Sequence, residues 1–214
     1  MRITALPSHE SDLVCRVAAN GFTVTEAWSP PRRIPWHAHE EHSLTILLEG
    51  IFEERYQQVR HPLECRAGSV VVRPAGKGHE NRLGRDGGRT LSIELDAARL
   101  HVYGKDLAAL LALSHQREQA FLDLGMAMSA ELRLCDAVGR GDEAPPLGTS
   151  LGPLPGTALG TALGTGVDTA AVLALESLTL ELLSRLLRMA QEHKSGTPPA
   201  WLVSARNAIH DRFR

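Results

Sequence analysis

Two histidine clusters lie between Trp36 and Arg82, each beside strand-like sequence, and they constrain this chain more than anything else in it. The first reads Trp36-His37-Ala38-His39-Glu40-Glu41-His42. The second closes a run from Gly68 through Val70, Val71, Val72, Pro74, Gly76 and Gly78 to His79. His37 and His39 are two residues apart, so on an extended segment both side chains leave the same face. The valine run predicts a buried strand, and the proline and glycines predict a turn that brings His79 back toward the mouth of the same sheet. Residues 45–50 and 53–56 read as short strands joined by a tight turn. Three neutral imidazoles suffice for zinc, nickel, iron or copper with one coordination position open. The same three suit the acid group of a small organic effector.

Gly68, five residues, Pro74, one residue, Gly76, two residues, His79: this spacing matches the second signature of the cupin barrels at every fixed position. The first signature is met in part. His37, His39 and Gly50 stand in place, while Ser43 occupies the position where the family carries a glutamate and Pro31 replaces the opening glycine. The segment resembles a cupin whose site keeps His37, His39 and His79 and loses the carboxylate. Glu41 shares strand parity with His37 and His39 and could substitute, unless a turn after His39 breaks that parity. His42, Ser43, Tyr56 and Gln57 are further pocket candidates, His42 around the site rather than in it. Each ligand must shed its proton, so metal affinity is expected to fall as pH drops through the imidazole range near 6.5.

The 214 residues carry a net charge of −2, which gives no basic surface on the scale that nucleic acid demands. Cys15, Cys65 and Cys135 are odd in number and lack zinc or redox spacing, as expected of small reduced core residues in a cytoplasm. No signal peptide is visible and no apolar run approaches a membrane span. Alternation over 13–28 around Asn20-Gly21 predicts a hairpin. Further strands are expected at 50–58, 69–73 and 90–95, a set that suits a small barrel ending near Asp96.

From about Lys105 the apolar period lengthens to three and four residues. Leu107, Leu110, Leu111, Phe121, Leu124, Met128, Leu132 and Cys135 predict an amphipathic helix. A second helix is expected from about Asp168 to His193, capped by Asp168 and Thr169. Its leucines at 173, 175, 178, 180, 182, 183, 186 and 187 exceed what one barrel face can hide. A homodimer interface through Leu178, Leu182 and Leu186 is therefore expected. Between the helices, 139–166 repeats Leu-Gly-Thr and carries too few large apolar side chains to order itself.

The order of parts carries a second resemblance. Behind the histidine barrel and the leucine-rich helices comes Pro198-Pro199-Ala200-Trp201, then Arg206, Ile209-His210-Asp211-Arg212-Phe213. This tail looks like the linker and opening helix of an AraC-type DNA-binding domain, and the chain from about Arg32 resembles the sensor half of an AraC-family transcriptional regulator. The expected fold class is α+β: a cupin-like (double-stranded β-helix, or jelly-roll) barrel over 1–104, then a pair of α-helices over 105–194. Residues 195–214 would be linker and the start of a truncated helix-turn-helix domain. The resemblance implies a small-molecule effector, a homodimer, and contact with DNA only through the missing C-terminal domain. The barrel would bind that effector or one divalent transition metal (zinc, nickel or iron), and no membrane partner is expected. The rival expectation is a metal-dependent three-histidine cupin enzyme of dioxygenase or isomerase type.

Overall fold

A computed structural model describes residues 12–19, 21–57, 59–96, 108, 110–139 and 169–195. Its strands are β1 (Asp12–Ala19), β2 (Phe22–Ser29), β3 (Arg33–His37), β4 (His42–Tyr56), β5 (Leu63–Arg66), β6 (Ser69–Arg73), β7 (His79–Leu95) and β8 (His115–Arg117). Two helices follow, α1 (Gln119–Gly139) and α2 (Thr169–Ser195). The strands form one antiparallel sheet in the order β1-β2-β7-β4-β6-β8, with β3 also paired to β7 and β5 to β4. The β1–β2 hairpin forms as expected, with Gly21 in the left-handed region at φ 83°.

β4 and β7 are long because each serves two halves of the sheet. The first half of β4 pairs with β6 and with residues 88–95 of β7; its second half pairs with β5 and with residues 79–83. The sequence predicts a turn near Gly50, and the structure has a bend within one continuous strand instead. Gly50 sits at φ 89°, and a Cβ there would lie 2.3 Å from the Gly87 carbonyl oxygen. Only glycine permits both the conformation and the approach. Opposite the bend β4 contributes Ile51 alone while β7 contributes 84–87, so the ladder kinks like an enlarged bulge.

Bending closes the sheet on itself. Leu47, Phe52, Cys65, Val71 and Leu83, drawn from both halves, pack into one small interior cluster. The alternate residues of the same strands (Leu44, Ile46, Leu48, Val70, Val72, Leu91, Ile93, Leu95) face outward and form the larger core with the helices. The first half of β4 is thus buried on both faces, and polar residues at 43 and 45 fall on the interior side. The α+β class and the cupin-like barrel followed by two helices are what the chain forms.

Two features depart from the sequence reading. The helix expected over 107–135 is interrupted: β8 adds to the edge of β6, and α1 begins only at Gln119. Three polar or charged residues carry no strand signal, so the ladder beside β6 decides the conformation. The barrel therefore takes a strand from beyond the expected boundary at 104. The second departure concerns α2. Leu182 and Leu186, expected at a dimer interface, are fully buried inside the chain, and Leu178 packs partly against the same core. Leu173 and Leu180 are the leucines that this helix leaves exposed, at 55% and 48%. Covering one such side chain would contribute up to about 2 kcal/mol, which is why intrachain packing claims most of the stripe. Asp168, residues 140–166 and the tail from 196 lie outside the described residues.

Helix α1 is also held by charge. Glu26 of β2, fully buried, accepts from Arg89 Nε of β7 at 2.6 Å, and Arg89 Nη2 donates to Ser129 Oγ of α1 at 2.6 Å. Burial pushes the Glu26 carboxyl up, but Ser129 and the Arg89 guanidinium outweigh it and the net shift is downward. The three cysteines are buried and form no disulfide among the described residues, and burial pushes the Cys65 thiol up to about 12. Among the described residues, no helix is long and apolar enough to cross a membrane.

Candidate metal centre

His37 ends β3 and pairs directly with His79 at the start of β7; on the other side of β7, Tyr56 of β4 pairs with His79. His39 lies two residues past the end of β3, so strand alternation alone does not place it. The turn at 74–77 does. Gly76 N–H donates to the His39 carbonyl at 2.9 Å, with Gly76 at φ 72°, and Ala75 N–H donates to His42 Nδ1 at 3.0 Å. The ring centroids stand 4.2 Å apart for His37 and His79, and 5.2 Å from each of these to His39. One nitrogen from each ring lies within 4.8 Å of the others. Ligands on one tetrahedral zinc at about 2.0 Å would sit roughly 3.3 Å apart. A modest closure is needed, and no hydrogen bond among the described residues fixes the His39 ring against it.

The other two rings are fixed. His37 Nδ1 lies 2.9 Å from the Pro35 carbonyl and His79 Nδ1 lies 3.2 Å from the Lys77 carbonyl. A carbonyl only accepts, so each Nδ1 carries the proton and each Nε2 keeps its lone pair, the usual backing of a metal-bound histidine. His79 Nε2 is buried and has no hydrogen-bond partner among the described residues. An orphaned acceptor of that kind costs free energy unless something occupies it, and a transition metal is the group this donor set fits. Burial, reinforced by the charge of Arg73, pushes His79 down to about 3 and His39 to about 4, and lowers His37. The rings are thus neutral at physiological pH, and protons compete for them well below the 6.5 expected from sequence.

Beneath the histidines runs a buried polar network that the sequence reading missed. Arg73 of β6 grips Glu54 of β4 through Nη2 at 2.6 Å and Nε at 3.0 Å; Asn81 Nδ2 adds a bond at 3.1 Å, Tyr56 OH donates to the same carboxylate, and Arg73 Nη1 donates to Thr45. Burial alone would raise the Glu54 pKa, but Arg73 holds it at about 2. Burial, then the Glu54 charge, drives the Tyr56 hydroxyl far above its ordinary range. Glu54 is thus neutralised by Arg73, whose charge acts on His39 and His79 more strongly than the carboxylate does. The signal was present in parity: Glu54 is two residues before Tyr56, and Arg73 ends an apolar strand.

The remaining candidates separate. Tyr56 adjoins His79, with ring centroids 5.9 Å apart. Ser43 is buried with its hydroxyl unpartnered, but it lies on β4 opposite Arg73 and outside the histidine triangle. Glu41 is exposed and lines a surface groove with Glu94 and Asp96, so it does not replace the missing carboxylate. His42 braces the 74–77 turn, and Gln57 is exposed beyond the end of β4. Next to His37 and His39 opens a cavity of about 130 Å³, walled by Ser29, Thr45, Arg73, Asn81, Thr90 and Ser92 on its polar side and by Ile34, Phe52 and Leu83 on its apolar side.

No protein-family model and no curated protein matches the sequence. Solved structures do match in shape. A Ralstonia eutropha protein described as a candidate mannose-6-phosphate isomerase aligns over 44% of this chain and 91% of its own, at 15% identity and TM-score 0.38. A cupin-2 domain protein from Shewanella frigidimarina covers 42% and 84%, at 16% identity and TM-score 0.34. An oxalate decarboxylase variant from Bacillus subtilis covers 45% and 32%, at 14% and 0.34. Likeness at this level carries no inference about chemistry, which rests on the site's own geometry.

Proposed function

We propose that this chain is the sensing half of an AraC-type regulator, and that it senses through a divalent transition metal held by His37, His39 and His79. The observation that carries the metal is the convergence of three neutral imidazoles, one with a buried acceptor that nothing among the described residues satisfies. The metal would supply an electrophilic position for a small ligand. With Glu54 cancelled by Arg73, no carboxylate offsets its charge, so an anionic or strongly donating ligand is favoured. The cavity of about 130 Å³ beside the histidines gives such a small ligand a place to bind.

The regulatory half of the reading rests on residues 198–213 and on the order of barrel, helices and tail. In it, two copies associate through the exposed apolar side chains of α2, Leu173 and Leu180, and ligand binding alters how attached DNA-binding domains are presented to paired half-sites. Reading the coding sequence past Arg214 tests it: continuation into two helix-turn-helix units supports the regulator, and an immediate stop sinks it. A three-histidine enzyme is the second reading, favoured by the cavity that adjoins the histidines. Turnover of a small oxygenated substrate by metal-loaded protein, abolished by His79→Ala, would establish that reading instead.

A further inference from the structure

A second concave site is lined mainly by residues of β3, β4 and β7 that alternate along the strands with those of the histidine centre. It is a groove of about 440 Å³ lined by Arg33, Glu53, Arg55, Pro62, Glu80, Asn81 and Arg82. That is a volume typical of small-molecule sites. Three guanidinium groups reach it from three neighbouring strands: Arg33 of β3, Arg82 of β7 and Arg55 of β4. Glu80, almost fully buried, sits between two of them, accepting from Arg33 Nη2 at 2.6 Å and lying 3.5 Å from Arg55 Nη1.

Arg33 and Arg82 are direct cross-strand partners. Like charges in that position oppose pairing, and a sheet selected for stability alone would place an acid there. Glu53 is opposite Arg82 on the other side, yet no ion pair forms between them, and Arg82 has no partner among the described residues. The five charged side chains leave the groove at a net +1 (three arginines against two glutamates) with one guanidinium unused. Glu80 meanwhile pairs with Arg33 and Arg55, which leaves Arg82 to meet a ligand. Guanidinium forks match the planar, two-oxygen geometry of carboxylates and phosphates.

We propose that this groove binds a small molecule through an oxyanion group, a carboxylate or a phosphate, seated on Arg82 and Arg33. The site is independent of the histidine centre: Asn81 lines both, but its amide is committed to Glu54 on the cavity side.

Isothermal titration calorimetry of the 214-residue protein at low salt tests this, with citrate as the carboxylate probe and pyrophosphate as the phosphate probe. One saturable site is expected for at least one probe, and which of them binds tells the two chemistries apart. Arg82→Ala should weaken it roughly tenfold or more, the loss expected of a charge-assisted hydrogen bond. Arg82 is exposed and unpaired, so this variant is expected to fold. His79→Ala should bind as the parent does. Arg185→Ala removes the same charge from the outside of α2 and should also leave binding unchanged. The proposal is overturned if neither probe binds saturably, if Arg82→Ala binds as well as the parent, or if Arg185→Ala costs as much as Arg82→Ala.

Discussion

Arg73 and Glu54 are the residues whose removal would be felt most. Both are buried, their charges cancel, and each leaves the other stranded if it is lost. Arg73→Ala is predicted to destabilise the fold by about 3–5 kcal/mol, whereas the double change Arg73→Met with Glu54→Gln should recover most of that loss. Urea unfolding of the three proteins would measure it, and a single variant as stable as the double would contradict the network. Protons act on the same cluster with a definite sign. In the metal-free protein His39 and His79 stay neutral down to about 4 and about 3, while unfolded histidines take up protons near 6.5. The unfolded state therefore binds more protons over that interval, and stability falls as pH drops from about 6.5 toward 3. Glu54, held at about 2, extends the loss in the same direction below its ordinary range. Melting temperature should decline through this window and decline less steeply in His79→Asn. His79 was legible in sequence because its spacing to Pro74 and Gly76 is fixed, and His37 and His39 because they stand two residues apart. Glu54 was not singled out, although it shares parity with Tyr56, because no local pattern shows that Arg73 of β6 lies opposite to pair with it.

That bend is the clearest event at the scale of elements. Gly50 reads in sequence as a turn between two strands, since a glycine after an apolar run most often ends it. Whether the chain turns or merely kinks is decided by β7, whose 84–87 excursion supplies the room, and no local pattern reports a partner 37 residues away. Gly50→Ala would force both a left-handed alanine and a collision with the Gly87 carbonyl. A loss of more than about 2 kcal/mol is predicted, together with weakened metal binding, because the half of β4 beyond Gly50 carries Glu54 and Tyr56. A variant with parental stability would show that the corner is not strained. β8 teaches the same lesson: three polar or charged residues become a strand because β6 offers an edge. The long helices needed no such help, and α2 ends within two residues of its expected limits.

For the molecule as a whole, the count of leucines on α2 was legible but their allocation was not. Which side of a helix meets α1 and β1 depends on how two elements cross. Leu182→Glu places a charge in the core and is predicted to unfold the chain. Leu173→Glu with Leu180→Glu alters only exposed positions and is predicted to convert a dimer into a folded monomer by sedimentation. A dimer that survives the second pair would move the interface to another surface.

Equilibrium metal analysis of protein purified without chelators decides whether His37, His39 and His79 form one metal site. One zinc or nickel ion per chain is predicted, bound down to about pH 4 rather than released near 6.5 and absent from His79→Ala. Protein that binds no transition metal when offered stoichiometric zinc and nickel, or His79→Ala that binds it undiminished, would rule the site out.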